Sequence, residues 1–191
     1  MNVLKKEEIV GAARKLFTQY GYKKVTMEEI AKEAGVTKKT VYAYFKDKEE
    51  LFRYIILEEM EKNRKAIEKI EKKGLPFLEQ VHETIYTVFK RKKANHFLIT
   101  ITNEAENFKN PKILDAIKMM DAEVKKYIKE KLTYAMEHQY IRPCNVEILT
   151  FVIYKVYMAI TFELDLEEKI DPKEVSNKIF GILKNGILVQ K

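Results

Sequence analysis

The chain has 191 residues, 46% apolar and 34% charged, which is a globular composition and not a disordered one. Six glycines and four prolines are about 5% of the chain against roughly 12% in average usage, which argues against a turn-rich barrel or sandwich and for long helices. The single cysteine, Cys144, excludes an intrachain disulfide framework or a zinc finger, and the formal net charge of +7 suits a polyanionic partner without requiring one. One cysteine also fits a reducing compartment. Met1 to Glu7 has no apolar run of signal-peptide length, and no stretch approaches 18 apolar residues free of charge. The expectation is a soluble, cytoplasmic, all-α protein.

From Lys5 to Tyr20, Ile9, Ala12, Ala13, Leu16, Phe17 and Tyr20 recur at three- and four-residue steps, one face of a helix, and Gly21 stands where a left-handed C-terminal cap belongs. Thr26 followed by Glu29 spells a capping box, with Val25 and Ile30 as its hydrophobic staple. Gly35 ends that short helix after Ala34, Thr37 caps the next, and Asp47 with Glu50 caps a long segment from Lys48 to Lys73. Gly74-Leu75-Pro76 is the clearest break in mid-chain, with Pro76 expected at the first helical position of a helix reaching about Lys93. Further helices are expected over Ala94–Phe108, Ile113–His138 and Val146–Leu164, and from Pro172 onward.

The stretch Thr26–Phe45 reads as helix, tight turn, helix. Helix one, Met27–Ala34, buries Ile30 and Ala31; the turn is Gly35-Val36; helix two, Lys38 to about Tyr44, turns Val41 and Phe45 inward. Thr37, Lys38, Lys39, Thr40, Tyr42 and Tyr44 are left off the core. A short helix that is basic and hydroxyl-rich at its start is what major-groove docking needs, since its first residues reach base edges while backbone N–H groups meet phosphates. Lys38 and Lys39 are about 100° apart around the helix, so one of the two is expected to donate to guanine and the other to a phosphate. Lys48, in the first turn of the next helix, opposes the helix dipole, which a phosphate would offset. Residues 1–50 hold eleven basic against eight acidic side chains, a net of +3. So small an excess gives weak, salt-sensitive binding from one copy, and tight binding then asks for two copies on a palindromic site.

The run that carries these features is similar to the TetR family of bacterial transcriptional regulators. The match lies in Ile9, Ala12-Ala13, Leu16-Phe17, Gly21-Tyr22, Val25-Thr26, Ile30-Ala31, Ala34-Gly35-Val36-Thr37, Thr40, Val41-Tyr42-Ala43-Tyr44-Phe45 and Lys48-Glu49-Glu50-Leu51, about a quarter of the chain. The resemblance implies a three-helix DNA-binding head at 1–48 joined to a larger helical ligand-binding and dimerisation domain at 49–191. It implies that Thr26 meets phosphate, that Thr37 to Thr40 open the recognition helix, and that Tyr42, Tyr44 and Lys48 contact the DNA backbone. Lys39 departs from the small residue usual there. The resemblance also implies a repressor released from DNA by a small molecule, with an activator of the same fold as the alternative.

In such a fold the last two helices of each copy pair into the dimer. Ile148, Phe151, Val152, Val156, Ala159 and Phe162 supply that surface, with Val175, Ile179, Ile182 and Gly186 from the final helix. An effector pocket is expected from apolar walls at Phe89, Phe97, Ile101, Ile117, Met120, Tyr127, Tyr154 and Met158, with polar anchors among His96, Thr100, Asn103, Glu104 and Lys155. Those walls suit a lipophilic molecule; Glu104 would favour a cation and Lys155 an anion. The three histidines show no metal-ligand spacing, no cofactor is implied, and no phosphate loop or nucleophile motif argues for an enzyme. A helical scaffold without a DNA role would leave the Lys38–Tyr44 face unexplained.

Overall fold

The structure, a computed structural model, describes residues 3–94, 97, 100, 101, 104, 111–159 and 171–187, without the side chains of 92–94, 112, 113 and 187. Every regular element among the described residues is helical, apart from an isolated bridge at Ile141. The helices are α1 (Val3–Tyr20), α2 (Met27–Glu33), α3 (Lys38–Tyr44), α4 (Lys48–Glu71), α5 (Phe77–Ala94), α6 (Pro111–Glu137), α7 (Val146–Met158) and α8 (Pro172–Ile187). Phe97, Thr100, Ile101 and Glu104 are also helical. The chain divides into two compact units, Met1–Lys62 with Asn95–Lys118, and Asn63–Ala94 with Met119–Lys191. That division differs from the boundary expected at 48/49, because the start of α4 and the 95–118 segment group with the first three helices.

In the first unit each short helix is started by its own side chain. Thr26 accepts from the Glu29 N–H at 3.2 Å, and the Glu29 carboxylate takes the Thr26 N–H at 2.8 Å, a complete capping box on α2. Thr37 accepts from the Thr40 N–H at 3.1 Å to start α3. Asp47 accepts from the Glu50 N–H at 2.8 Å to start α4, while Glu50 reaches back to the Lys46 N–H at 2.7 Å. Gly21 and Gly35 hold φ of +80° and +65°, which ends α1 and turns the chain between α2 and α3 without the strain a side chain would bring. α1 packs on α2 and α2 on α3. The core is Ile9, Phe17, Ile30, Val41, Phe45, Phe52 and Ile55. Tyr22 lies 5.5 Å from the Phe17 ring and 4.8 Å from Phe52, and Phe97 lies 6.2 Å from Phe52. Such ring pairs add about 0.5–1.5 kcal/mol each beyond the area they bury.

In the second unit α5 packs along α8. His82 of α5 is 2.8 Å from the Asn177 amide oxygen, and its ring centre is 5.0 Å from that of Phe180. A second core gathers Leu132, Ala135 and Ile141, with Phe77, Ile128, Leu149 and Ile153 packed against it. α6 stops where Gln139 takes a φ of 58° and the Tyr140 N–H returns to the Ala135 carbonyl at 2.8 Å. Pro76 precedes α5 and does not open it: its carbonyl accepts from Glu79 and Gln80, the place of an N-cap. Asn145 caps α7 through the Ile148 N–H at 3.1 Å. The expected continuation of α7 from 160 to Leu164 lies outside the described residues.

Candidate nucleic-acid interface

The outward face of α3 follows from its register. Val41 and Phe45 are four residues apart and buried; Lys39 stands nearly opposite them, Thr37, Lys38, Lys39 and Tyr42 are exposed at the start and flank of the helix, and Thr40 and Tyr44 are half-buried. The two lysines differ. Lys38 forms an ion pair with Glu28 of α2, which holds its ammonium above the ordinary lysine range through that hydrogen bond and charge. Lys39 projects to solvent. The Thr37 and Thr40 hydroxyls are 2.8 Å apart. The Thr26 hydroxyl donates to Glu29 at 2.8 Å, so a phosphate there would have to displace that bond. The same threonine, through its N–H and then its hydroxyl, holds the Glu29 carboxylate below its ordinary range.

Lys48 is placed differently from the expectation of a phosphate contact. Its ammonium donates to the carbonyls of Tyr22 at 2.8 Å and Val25 at 2.6 Å, and stands 4.4 Å from the centre of the Tyr22 ring. Three carbonyls of one turn, with Lys23 at 3.4 Å, offset its unfavourable place at the start of a helix.

The residues expected to line one effector pocket are divided between the two units. Phe97, Thr100, Ile101, Glu104 and Ile117 belong to the first, and Phe89, Met120, Tyr127, Tyr154, Lys155 and Met158 to the second. His96 and Asn103 lie outside the described residues. Phe97 lies under the Arg14 guanidinium at 5.5 Å, Thr100 donates to the Thr18 carbonyl at 3.3 Å, and Ile101 is buried. Glu104, only 6% exposed, accepts the N–H groups of Tyr22 at 2.5 Å and Lys23 at 2.9 Å. These four side chains occupy i, i+3, i+4 and i+7, one helical stripe, and Phe97, Thr100 and Glu104 contact α1, the turn that follows it and α4. In the second unit, Phe89 and Tyr154 are buried and Tyr127 is half-buried. Tyr127 donates to Glu71 at 3.4 Å, and Glu71 is paired with Lys131 at 2.7 Å. Burial first, then the Glu71 charge, pushes the Tyr127 phenol above its ordinary range; burial and Asp121 do the same to Tyr154. Lys155 is exposed and leans over the Phe151 ring at 5.9 Å, so within its unit it is a surface residue and not an internal anchor.

The outer face of α7 carries Ile148 at 62% and Phe151 at 57% exposure, with Val152 and Val156 beside them. On α8, Ile182 is 71% exposed, Gly186 is exposed, and Val175 and Ile179 are half-buried, as is Ala159. Phe162 lies outside the described residues.

A capped helix-turn-helix with a basic, hydroxyl-bearing second helix, followed by a larger helical region, defines a DNA-binding transcriptional regulator. The sequence profile of the bacterial regulatory proteins, tetR family, matches residues 9–55. The chain is 33% identical to the HTH-type transcriptional regulator YhgD of Bacillus subtilis (strain 168) over 96% of its own length and 95% of that protein's. It superposes on the fatty acid degradation regulator FadR from Bacillus halodurans with a TM-score of 0.79 at 21% identity, covering 97% of each chain. On FadR from Bacillus subtilis in complex with stearoyl-CoA the TM-score is 0.76 at 24% identity, covering 94% of this chain and 98% of that one. The protein belongs to the TetR family of bacterial transcriptional regulators, which are DNA-binding proteins and not enzymes. Among the described residues no cluster of three His, Cys, Asp or Glu is placed to hold a metal ion, and no helix is long and apolar enough to cross a membrane.

Proposed function

We propose that the protein represses transcription as a homodimer on a palindromic operator and leaves it when a lipophilic molecule binds residues 49–191. The observation that carries the reading is the outward face of α3, where Thr37, Lys38, Lys39 and Tyr42 are exposed behind a buried Val41. In this reading Lys39 reads a base edge, since Lys38 is paired with Glu28, and Tyr42 and Tyr44 meet phosphates at the groove edge. The pairing of Lys48 with the turn carbonyls makes it a support of the head and not a phosphate ligand. Repression needs no contact beyond overlap with a promoter. The exposed apolar face of α7 supports pairing of two copies.

An acyl chain is the effector this reading favours. Phe89, Tyr127, Tyr154 and Met158 give the second unit apolar and aromatic wall material, and a regulator of the same fold from Bacillus subtilis was crystallised with stearoyl-CoA. The test is a mobility shift on the DNA upstream of the protein's own reading frame, with Lys39→Ala beside wild type and stearoyl-CoA titrated into the complex. The expected result is a wild-type shift, loss of operator preference in the variant, and release of DNA by the acyl thioester. Equal loss on operator and random DNA for Lys39→Ala removes its base-reading role, and a complex that persists in saturating stearoyl-CoA removes the acyl effector.

A further inference from the structure

The turn between α1 and α2 is gripped from two sides by charges that arrive from distant parts of the chain. The Tyr22–Lys23 peptide is trans, so its carbonyl and its N–H point in opposite directions. The carbonyl meets the Lys48 ammonium at 2.8 Å, and the N–H meets the Glu104 carboxylate at 2.9 Å. Glu104 also takes the Tyr22 N–H at 2.5 Å, and Lys48 also takes the Val25 carbonyl at 2.6 Å, next to the N-cap of α2. A buried carboxylate needs such partners, and hydrogen bonds to an ionised group are about twice as strong as neutral ones. Gly21 completes the fit, since a Cβ there would stand 2.8 Å from a Glu104 carboxylate oxygen.

We propose that Glu104 is a positioning residue for DNA binding, fixing the α1–α2 turn, and with it the cap and direction of α2, from the chain that follows α5. The proposal rests on the regulator reading above. A recognition helix works only when held within about 0.5 Å of its docking geometry, and α2 is what α3 packs against. Residues 95–118 belong to the first unit and follow α5, which belongs to the second. Glu104 is thus carried by a segment joined directly to α5 of the second unit, and it holds by hydrogen bonds an amide 82 residues away at Tyr22.

The test uses full-length wild type, Glu104→Gln and Glu104→Ala. Two readouts are taken well below the melting temperature: affinity for the upstream DNA and amide hydrogen exchange. The Gln variant keeps one acceptor oxygen and the side-chain shape, so it stays folded if the Ala variant does not. Expected are faster exchange at Tyr22, Lys23 and the first turn of α2, unchanged exchange in α5 and α8, and roughly tenfold weaker operator binding for Gln, with a larger loss for Ala. Exchange at 22–31 equal to wild type in the Gln variant overturns the proposal, as does faster exchange there with unaltered operator affinity. Loosening spread evenly through both units assigns Glu104 to general stability and overturns it too. Wild type that fails to bind its upstream DNA overturns the regulator reading instead, while the exchange measurement still decides what Glu104 holds.

Discussion

Lys38 and Lys39 are neighbours of identical chemistry with different work to do. Lys38 is tied to Glu28, an exposed acid in the first turn of α2. Glu28→Gln should therefore free one cation and delete one charge that repels phosphate. We expect about threefold tighter binding to operator and random DNA alike, with a steeper salt dependence, measured by fluorescence anisotropy across a salt series. The stability that Lys38 adds through the pair is fully present just below the ordinary lysine pKa and is lost as pH rises through its raised value. Glu29 has the opposite sign. Its folded pKa is depressed by the Thr26 cap, so the stability it adds is present above the ordinary glutamate value and is lost as pH falls through the lowered one. A carboxylate titration by NMR should place Glu29 below the ordinary range in wild type, and Thr26→Ala, which removes the hydroxyl but keeps the N–H, should raise it only part of the way back.

At the scale of elements, what was legible in the sequence was what is local. Thr26 with Glu29, Thr37 with Thr40 and Asp47 with Glu50 each act within three residues, so the starts of α2, α3 and α4 could be read to the residue. Pro76 misled by one position because both the N-cap and the first helical residue tolerate a missing N–H. The double grip on the α1–α2 turn was illegible for the converse reason: nothing near Tyr22 announces an acid at 104. Gly21→Ala should show the cost from the other side. It forces a side chain into φ +80° and against a carboxylate that is pinned by two amides. Destabilisation of about 1–2 kcal/mol from the backbone alone, and more from the displaced carboxylate, should appear in urea denaturation. The apolar face of α7 was legible because its sequence is apolar nearly all round, which a helix at the edge of a single copy would not sustain. Phe151→Glu is expected to give a folded monomer by light scattering, with operator affinity reduced at least about a hundredfold through loss of paired half-sites.

For the whole molecule, the compact units and the expected functional halves fall at different places in the chain. α4 gives Lys48–Lys62 to the first unit and the rest to the second, and α6 is divided in the same way at Lys118. Periodicity identifies a helix but not which unit will bury its stripe: Phe97, Thr100, Ile101 and Glu104, expected to line the pocket, group with the first unit. A symmetric pair of heads predicts its own footprint: two protected half-sites centred one helical turn of DNA apart, or a multiple of it, with two chains bound per operator. Footprinting combined with stoichiometric titration checks both; a single protected half-site at saturation would contradict the pairing.

The opposed charges at 48 and 104 also make a statement about inheritance. They hold opposite sides of one peptide, so a lineage that loses the acid gives up half of the grip on that turn. Among descendants of a common ancestor, these positions and the glycine at 21 should change together, as one character and not three.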